Sequence, residues 1–198
     1  MTLTVLCVTK AEPYAQPFLA RLAQDAAIIG ATLRVETDGA GVSSDGYIES
    51  ALDQAIERCD DGYVLRVDDD ETLSLALLEW LRAGKYLTAD HWAFPRRNLW
   101  PDAQRYIANP PLWPDLQTRL SVKAKAGGRA GVHDGSPHGT GEVCPHPIDH
   151  HKFVARTRVE RELLVQHYEH LKPGAGTEYM MFSLPELYED EIDIRPVS

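Results

Sequence analysis

Residues 63–71 read Tyr-Val-Leu-Arg-Val-Asp-Asp-Asp-Glu. The first five residues form a short, largely apolar run that is typical of a buried strand. The four residues that follow, 68–71, are all acidic, and a helix is predicted to begin a few residues later, at about Ser74. Buried strands that alternate with helices are characteristic of α/β proteins. This stretch therefore predicts an α/β fold with carboxylates at the end of a central strand.

The acidic run 68–71 favours a metal site. Side chains alternate along an extended segment, so Asp68 and Asp70 are expected to project to the same side. Four neighbouring carboxylates repel one another, and a divalent cation relieves that repulsion. Mg²⁺ and Mn²⁺ prefer carboxylate oxygens and often hold the phosphates of a substrate as well. The alternative is that the acids cap the following helix, but four carboxylates exceed what one helix needs.

The first half of the chain alternates strands with helices. Strands are expected at 3–8, 31–37 and 63–67, and helices at about 13–30, 48–56 and 74–83. This order predicts a mainly parallel central sheet with helices on both faces, a Rossmann-like N-terminal half. Ligands bind at the carboxyl ends of such strands. Thr9–Glu12, Asp38 and the acidic run all fall at those ends.

The second half is expected to be rich in loops. A strand over 91–97 is predicted to break at Pro95, and another strand is expected at 118–123. Residues 125–150 have many His, Gly and Pro residues, which favours a mobile functional loop. A helix is predicted over 155–171. Residues 173–198 are expected to form a partly ordered C-terminal tail.

Composition restricts the class of protein. A chain of 198 residues with 43% hydrophobic residues is expected to form one domain. No apolar run approaches the roughly 20 residues that span a bilayer, and residues 1–10 lack the basic start of a signal peptide. We therefore expect a cytoplasmic protein. Three scattered cysteines suggest no disulfide framework, and a net charge of −10 disfavours indiscriminate binding of polyanions.

Several short motifs in a fixed order carry a family resemblance over residues 3–155. They are Thr9–Glu12, Asp38-Gly39, Asp68–Glu71, Phe94–Asn98, Trp113–Leu120, Val132–Asp134 and the late His150. In this order the chain resembles a family-2-type glycosyltransferase of the GT-A fold. The resemblance implies a single catalytic domain over 1–172. Its residues 1–90 would bind a nucleotide-sugar and a metal, and its residues 91–172 would bind the acceptor.

The resemblance also implies a role for individual residues. Thr9 and Glu12 would lie near the nucleoside, and Asp38 near the base or ribose of the donor. Within the acidic run, Asp68 and Asp69 would contact the nucleotide-sugar and Asp70 would ligate Mn²⁺ or Mg²⁺. The remaining positions follow from the later motifs: Asp115 would be the general base, and Arg97, Gln117 and Arg119 would bind the nucleotide-sugar. His133 or His150 would complete the metal or phosphate site.

These residue types suit sugar transfer. The acceptor hydroxyl must lose its proton as it attacks, which a carboxylate such as Asp115 can accept. A metal ion stabilises the departing diphosphate. One carboxylate at the acceptor predicts an inverting single displacement. The sequence Trp113-Pro114-Asp115 is also an ordinary turn, so the catalytic assignment depends on the neighbouring motifs.

The sequence leaves several alternatives open. The acceptor is expected to be a glycan or lipid-linked sugar, or, in a phage-type enzyme, a hydroxymethylated base in DNA. The chain could instead be a nucleotidyltransferase, a diphosphohydrolase or a non-catalytic nucleotide-sugar-binding module. Five histidines and Cys144 lie between 133 and 151, but their spacing matches no common zinc pattern. Trp100 and Trp113 could stack on a ligand or belong to the core.

Overall fold

The computed structural model describes residues 1–37, 48–126, 139–174, 176 and 180–197, with only the backbone described at 48–51 and 171. Within these ranges, no helix combines the length and the apolar character that crossing a membrane requires.

The described residues form ten strands and five α-helices. The strands are β1 (Thr2–Thr9), β2 (Thr32–Thr37), β3 (Gly62–Arg66), β4 (Glu71–Leu73), β5 (His91–Asn98), β6 (Arg105–Ile107), β7 (Asp115–Val122), β8 (Gly141–Val143), β9 (Ile148–His150) and β10 (Ile194–Pro196). The helices are α1 (Ala15–Ile29), α2 (Ile48–Glu57), α3 (Leu75–Arg82), α4 (Lys152–Ala155) and α5 (Arg158–Leu171).

A mostly parallel central sheet confirms the predicted α/β class. Its strand order is β2-β1-β3-β7-β5-β9-β4, and β8 pairs with β5. Strand β1 is parallel to both β2 and β3, with Leu6 opposite Arg34 on one side and Arg66 on the other. Strand β7 runs antiparallel to β3. The carboxyl ends of β1 and β3 therefore meet at one edge of the sheet.

Local sequence signals set the helix ends. Helix α1 ends at Gly30, which adopts the left-handed conformation (φ 69°) that glycine accepts at least cost. Helix α5 begins at Arg158, three residues later than expected, because Thr157 forms a capping box with Glu160. Helix α3 is capped by the Ser74 side chain, which accepts from the N–H of Leu77. The acidic run therefore does not cap α3, and the last two residues of β4, Thr72 and Leu73, lie between the run and the Ser74 cap.

The predicted strand break at Pro95 is wrong. Strand β5 continues from His91 to Asn98. Residues 91–93 pair with β8, while beyond Pro95 the Leu99 N–H donates to the His150 carbonyl. Proline cannot donate a backbone hydrogen bond. Here Pro95 lies between the part of β5 that pairs with β8 and the part that lies beside β9, so the strand continues through it. The expected loop over 125–150 also contains two short strands, β8 and β9, within its described part.

Contacts divide the chain into two units. Unit 1 comprises residues 1–95 and 116–148, and unit 2 comprises residues 96–115 and 149–198. The main core of unit 1 packs α1 and α3 on the sheet, around side chains such as Val5, Leu65 and Phe94. The core of unit 2 surrounds Ile107, Leu112 and Phe153. Residues 180–197 contribute to unit 2, because β10 pairs with β6.

Candidate functional site

The acidic run lies in unit 1, directly after β3. Asp68–Asp70 form a turn that is closed by the Glu71 N–H donating to the Asp68 carbonyl at 3.1 Å. The turn is only partly open to solvent, since Asp70 is 4% and Glu71 1% exposed. The Val67 N–H donates to the Leu6 carbonyl of β1. The sheet thus fixes the start of the turn at the edge where α/β proteins bind ligands.

Two arginines neutralise part of this acidic turn. Arg119 of β7 donates to Asp68 at 2.5 Å and to Glu71 at 2.6 Å, and its side chain is 1% exposed. Arg66 of β3 donates to the other oxygen of Asp68 at 3.1 Å. The Glu71 carboxylate also accepts from the Asp68 N–H at 2.9 Å. The argument that a cation is needed to relieve the repulsion is therefore wrong for Asp68 and Glu71, because arginines already relieve it.

The pKa shifts in this network have clear physical causes. Burial disfavours the charged form of Arg119, but Asp68 and Glu71 outweigh that effect and raise its pKa above the ordinary arginine range. Burial, reinforced by the nearby Arg119, lowers the pKa of Arg66. Burial and then the surrounding carboxylates raise the pKa of the Cys7 thiol on β1. Cys7 thus stays a protonated core residue.

The loop after β1 is joined to the same turn. The Thr9 hydroxyl, 1% exposed, donates to Asp69 at 2.6 Å, and the Tyr14 hydroxyl donates to the other Asp69 oxygen at 3.3 Å. Thr9 in turn accepts from the N–H of Ala11, whose φ of 57° bends the chain at this point. The structure therefore brings the predicted residues Thr9 and Asp69 together. The sequence analysis missed Tyr14, for which no motif gives a signal.

Of the remaining predicted residues of unit 1, the structure describes two, Glu12 and Gln117. The Glu12 side chain is exposed in the loop before α1, and Gln117 is half-buried on β7, two residues before Arg119. Asp38 and His133 lie outside the described residues. Their predicted roles stay predictions.

In unit 2, Asp115 is held by an arginine. Arg96 donates to the Oδ2 atom of Asp115 through Nε at 2.7 Å and through a terminal nitrogen at 2.6 Å. The side chains are 13% and 11% exposed. A neighbouring guanidinium favours the ionised form of a carboxylate, and a general base must be ionised before it can accept a proton.

A second pair in unit 2 involves Arg97. Arg97 binds Asp149 through two parallel hydrogen bonds of 2.6 and 3.1 Å, and its guanidinium lies 5.9 Å from the centre of the Tyr106 ring. This geometry holds Arg97 in place within unit 2. The role of Arg97 in binding a nucleotide-sugar stays a prediction.

His150 is buried in unit 2 and contacts Asn98. The His150 Nδ1 atom lies 2.8 Å from the Asn98 Oδ1 atom, and both residues are less than 7% exposed. Asn98 also donates to the Leu112 carbonyl at 3.1 Å and lies 3.5 Å from Asp115. The sequence motif that contains Asn98 gave no separate role for it.

The tryptophans divide between the core and the half-buried surface. Trp92 is 5% exposed in the core of unit 1. Trp100 packs edge-on against Phe153 in the core of unit 2. Trp113 is half-buried and stacks edge-on with Tyr106 at 5.2 Å. Both candidates for ligand stacking, Trp100 and Trp113, are therefore partly buried, and their role in binding a ligand stays a prediction.

The donor atoms of the acidic turn can be compared with what a metal ion requires. Among the described side chains, no three His, Cys, Asp or Glu residues converge as a complete metal cage. Mg²⁺ needs no such cage, because it is commonly held by one or two carboxylates together with substrate phosphates and water. The oxygens of Asp69 and Asp70 are of the type such a shared site uses. The residues therefore fit a metal that binds together with a diphosphate.

Comparisons with known proteins add structural neighbours. The sequence matches no protein-family model and no curated protein sequence. Among solved structures it is similar to a glycosyltransferase involved in glycosylation of the major capsid of PBCV-1, at 13% identity and a TM-score of 0.40, over 63% of this chain and 61% of that one. It is also similar to S. aureus TarS 1–349, at 12% identity and a TM-score of 0.48, over 85% of this chain and 66% of that one.

The complex of TarS 1–349 with UDP is similar at 9% identity and a TM-score of 0.43, again over 85% of this chain and 66% of that one. This chain thus spans less than two thirds of the length of each of these structures. Similarity at this level says nothing about a reaction, which has to be inferred from the side chains.

Proposed function

We propose that this protein is a metal-dependent, inverting glycosyltransferase that moves a sugar from a nucleotide-diphosphate sugar to the hydroxyl of a glycan or lipid-linked sugar. The observation that carries the proposal is the contact between the ends of two parallel strands. Thr9, the last residue of β1, donates to Asp69, which follows β3, at 2.6 Å. This edge of an α/β sheet is where phosphorylated ligands bind.

The acidic turn is the proposed diphosphate site. Arg119 and Arg66 hold Asp68, and Arg119 also holds Glu71, so that the backbone of the turn is fixed before a ligand arrives. A preformed site spends less of its binding energy on ordering its own side chains. When bound, Mg²⁺ or Mn²⁺ held by Asp70 would act as a Lewis acid on the diphosphate leaving group.

Asp115 is the proposed general base. In a single displacement its carboxylate accepts the proton of the acceptor hydroxyl while the oxygen attacks the anomeric carbon and the nucleoside diphosphate leaves. Arg96 orients the carboxylate by two contacts to a single oxygen, Oδ2. This contact fixes the direction of the carboxylate, as general-base catalysis requires.

A thermal-shift panel tests donor binding. The melting temperature is measured with UDP-, GDP- and dTDP-sugars, each with and without Mn²⁺. A ligand present at one hundred times its Kd stabilises the native state by about 2.7 kcal/mol. For a chain of this size that corresponds to a rise of roughly 5–10 °C. We expect this rise for one nucleotide type, and only when Mn²⁺ is present.

Variants of the acidic turn give the control. Asp70→Asn is expected to lose the Mn²⁺-dependent rise. Asp60→Asn, at an exposed aspartate between α2 and β3 of the same unit, is expected to keep it. An equal rise with and without Mn²⁺ would contradict the metal site. The absence of any rise with all of the sugars would contradict the proposed function itself.

A further inference from the structure

Asn98 is buried among polar groups of unit 2, and its amide is fully oriented by them. Its Nδ2 atom faces the Leu112 carbonyl at 3.1 Å and the Asp115 carboxylate at 3.5 Å. Its Oδ1 atom faces the Nδ1 atom of His150 at 2.8 Å. Asn98 itself is 2% exposed, so water does not compete for these contacts.

Only one orientation of the Asn98 amide is compatible with these neighbours. A backbone carbonyl and an ionised carboxylate accept hydrogen bonds but cannot donate them. Rotating the amide by 180° would place its oxygen against the Leu112 carbonyl oxygen and the Asp115 carboxylate, so that acceptors would face one another in a buried site. The amide oxygen must therefore point toward His150.

This orientation fixes the tautomer of His150. An amide oxygen carries no hydrogen, so the proton of the 2.8 Å contact belongs to the Nδ1 atom of His150. A neutral imidazole carries one proton. In neutral His150 the Nε2 atom is consequently the unprotonated nitrogen, whose lone pair can accept a proton or bind a metal ion.

We propose that Asn98 is a positioning residue that holds His150 as the Nδ1–H tautomer, so that Nε2 is its reactive nitrogen. Histidines that bind metals commonly donate their other ring N–H to such an acceptor. The catalytic consequence rests on the proposed function, whereas the tautomer does not. Asn98 acts mainly on His150, because Arg96 makes the shorter contacts to Asp115.

Nitrogen-15 NMR of the whole protein reads the tautomer directly. Long-range proton–nitrogen spectra distinguish the protonated from the unprotonated ring nitrogen. The measurement is made at about pH 8, above the ordinary imidazole pKa of about 6.5. The His150 signals are identified by their loss in His150→Gln. We expect Nδ1 protonated and Nε2 unprotonated in the wild type; the reverse assignment would overturn the proposal.

Two variants test whether Asn98 is the cause. Asn98→Leu removes the acceptor, and the Nδ1–H preference is expected to be lost. Asn98→Gln keeps both an amide oxygen for Nδ1 and an amide N–H for the Leu112 carbonyl, and the preference is expected to survive even if the leucine variant does not fold. A leucine variant that folds and keeps the preference, or a folded glutamine variant that loses it, would overturn the inference. Asn109→Leu, which also removes hydrogen bonds in unit 2, is expected to leave the His150 tautomer unchanged.

Kinetics separate positioning from folding. Loss of a supporting group of this kind typically costs about ten- to hundredfold in activity. We expect Asn98→Leu to lower kcat by this factor with an unchanged KM for the donor, and Asn98→Gln to keep part of the activity that the leucine variant loses. Unchanged kcat in Asn98→Leu would overturn the catalytic role. If the wild type transfers no sugar at all, the proposed function fails, while the NMR result still decides the tautomer.

Discussion

Replacing Glu71 with glutamine tests whether the buried ion pair holds the acidic turn. The Glu71 side chain is 0% exposed and accepts from Arg119 at 2.6 Å and from the Asp68 N–H at 2.9 Å. Glutamine has nearly the same shape but only one accepting oxygen. If the glutamine oxygen accepts from Arg119, its amide nitrogen faces the Asp68 N–H, and if it accepts from the Asp68 N–H, its nitrogen faces Arg119. In both cases the negative charge opposite Arg119 is lost.

The expected loss of stability follows from burial. Breaking a buried ion pair by changing one partner typically costs about 3–5 kcal/mol. For a protein of this size, each kcal/mol shifts the melting temperature by roughly 2–4 °C. We therefore expect Glu71→Gln to melt roughly 6–20 °C below the wild type. Differential scanning calorimetry gives the shift, and urea unfolding gives an independent free energy.

An exposed pair provides the matched control. Arg158 and Glu162 form an ion pair of 2.8 Å on α5, with side chains 56% and 42% exposed. Pairs of this kind contribute about 0.3–0.5 kcal/mol, so Glu162→Gln is expected to change the melting temperature by no more than about 2 °C. If Glu71→Gln were no more costly than Glu162→Gln, the reasoning that the buried network fixes the turn would be refuted.

Three further predictions concern catalysis, pH and backbone geometry. Asp115→Asn is expected to abolish sugar transfer while the donor-induced thermal shift stays, since the amide cannot accept the proton. Hydrogen bonds from Lys125 and Thr140 to the Asp90 carboxylate lower the pKa of Asp90 from 3.8 to about 2. The stability that Asp90 contributes is therefore present above about pH 4 and is lost as the pH falls toward 2. Gly62→Ala is expected to destabilise more than Gly30→Ala, although both positions have positive φ.

Controls separate these effects from general damage. Asp102→Asn, which changes an exposed Asp–Arg pair in unit 2, is expected to transfer sugar normally. For Asp90, the free energies of unfolding of wild type and Asp90→Asn are compared from pH 7 to 2, and a difference that does not shrink below pH 4 would contradict the linkage. At Gly62 a Cβ would collide with the Thr2 carbonyl, whereas Gly30 has open space and only the left-handed cost of about 1–2 kcal/mol.

The α/β arrangement of the first half was predictable because its signals are local. Gly30 follows the last apolar residue of α1, and the run Tyr63–Val67 has the composition of a buried strand. Each such signal acts through the backbone of its own segment. The prediction at Pro95 failed because the effect of a proline in a strand depends on which strands lie beside it. The partners of β5 are distant in sequence, so its own segment does not reveal them.

The partners of the acidic run could not be predicted. Arg119 lies 48 residues after Glu71, and nothing in its own segment indicates that it is buried. The sequence places Thr9 and Asp69 at strand ends, which predicts that they are near each other but not that they share a hydrogen bond. Tyr14 gave no signal, and the motif that contains Asn98 gave no separate role for it, since the roles of both come from what lies opposite them in space.

The C-terminal segment limits how the protein can be shortened. Ser183 is fully buried, its carbonyl accepts from Arg161, and Arg161 also binds Glu186 through two contacts. Met181, Phe182 and Ile192 cover the core around Phe153. A protein truncated near residue 173 would expose this apolar surface and leave the buried Arg161 guanidinium without Ser183 and Glu186. It is therefore expected to be insoluble. Purification tags and fluorescent labels are better attached without removing any of these residues.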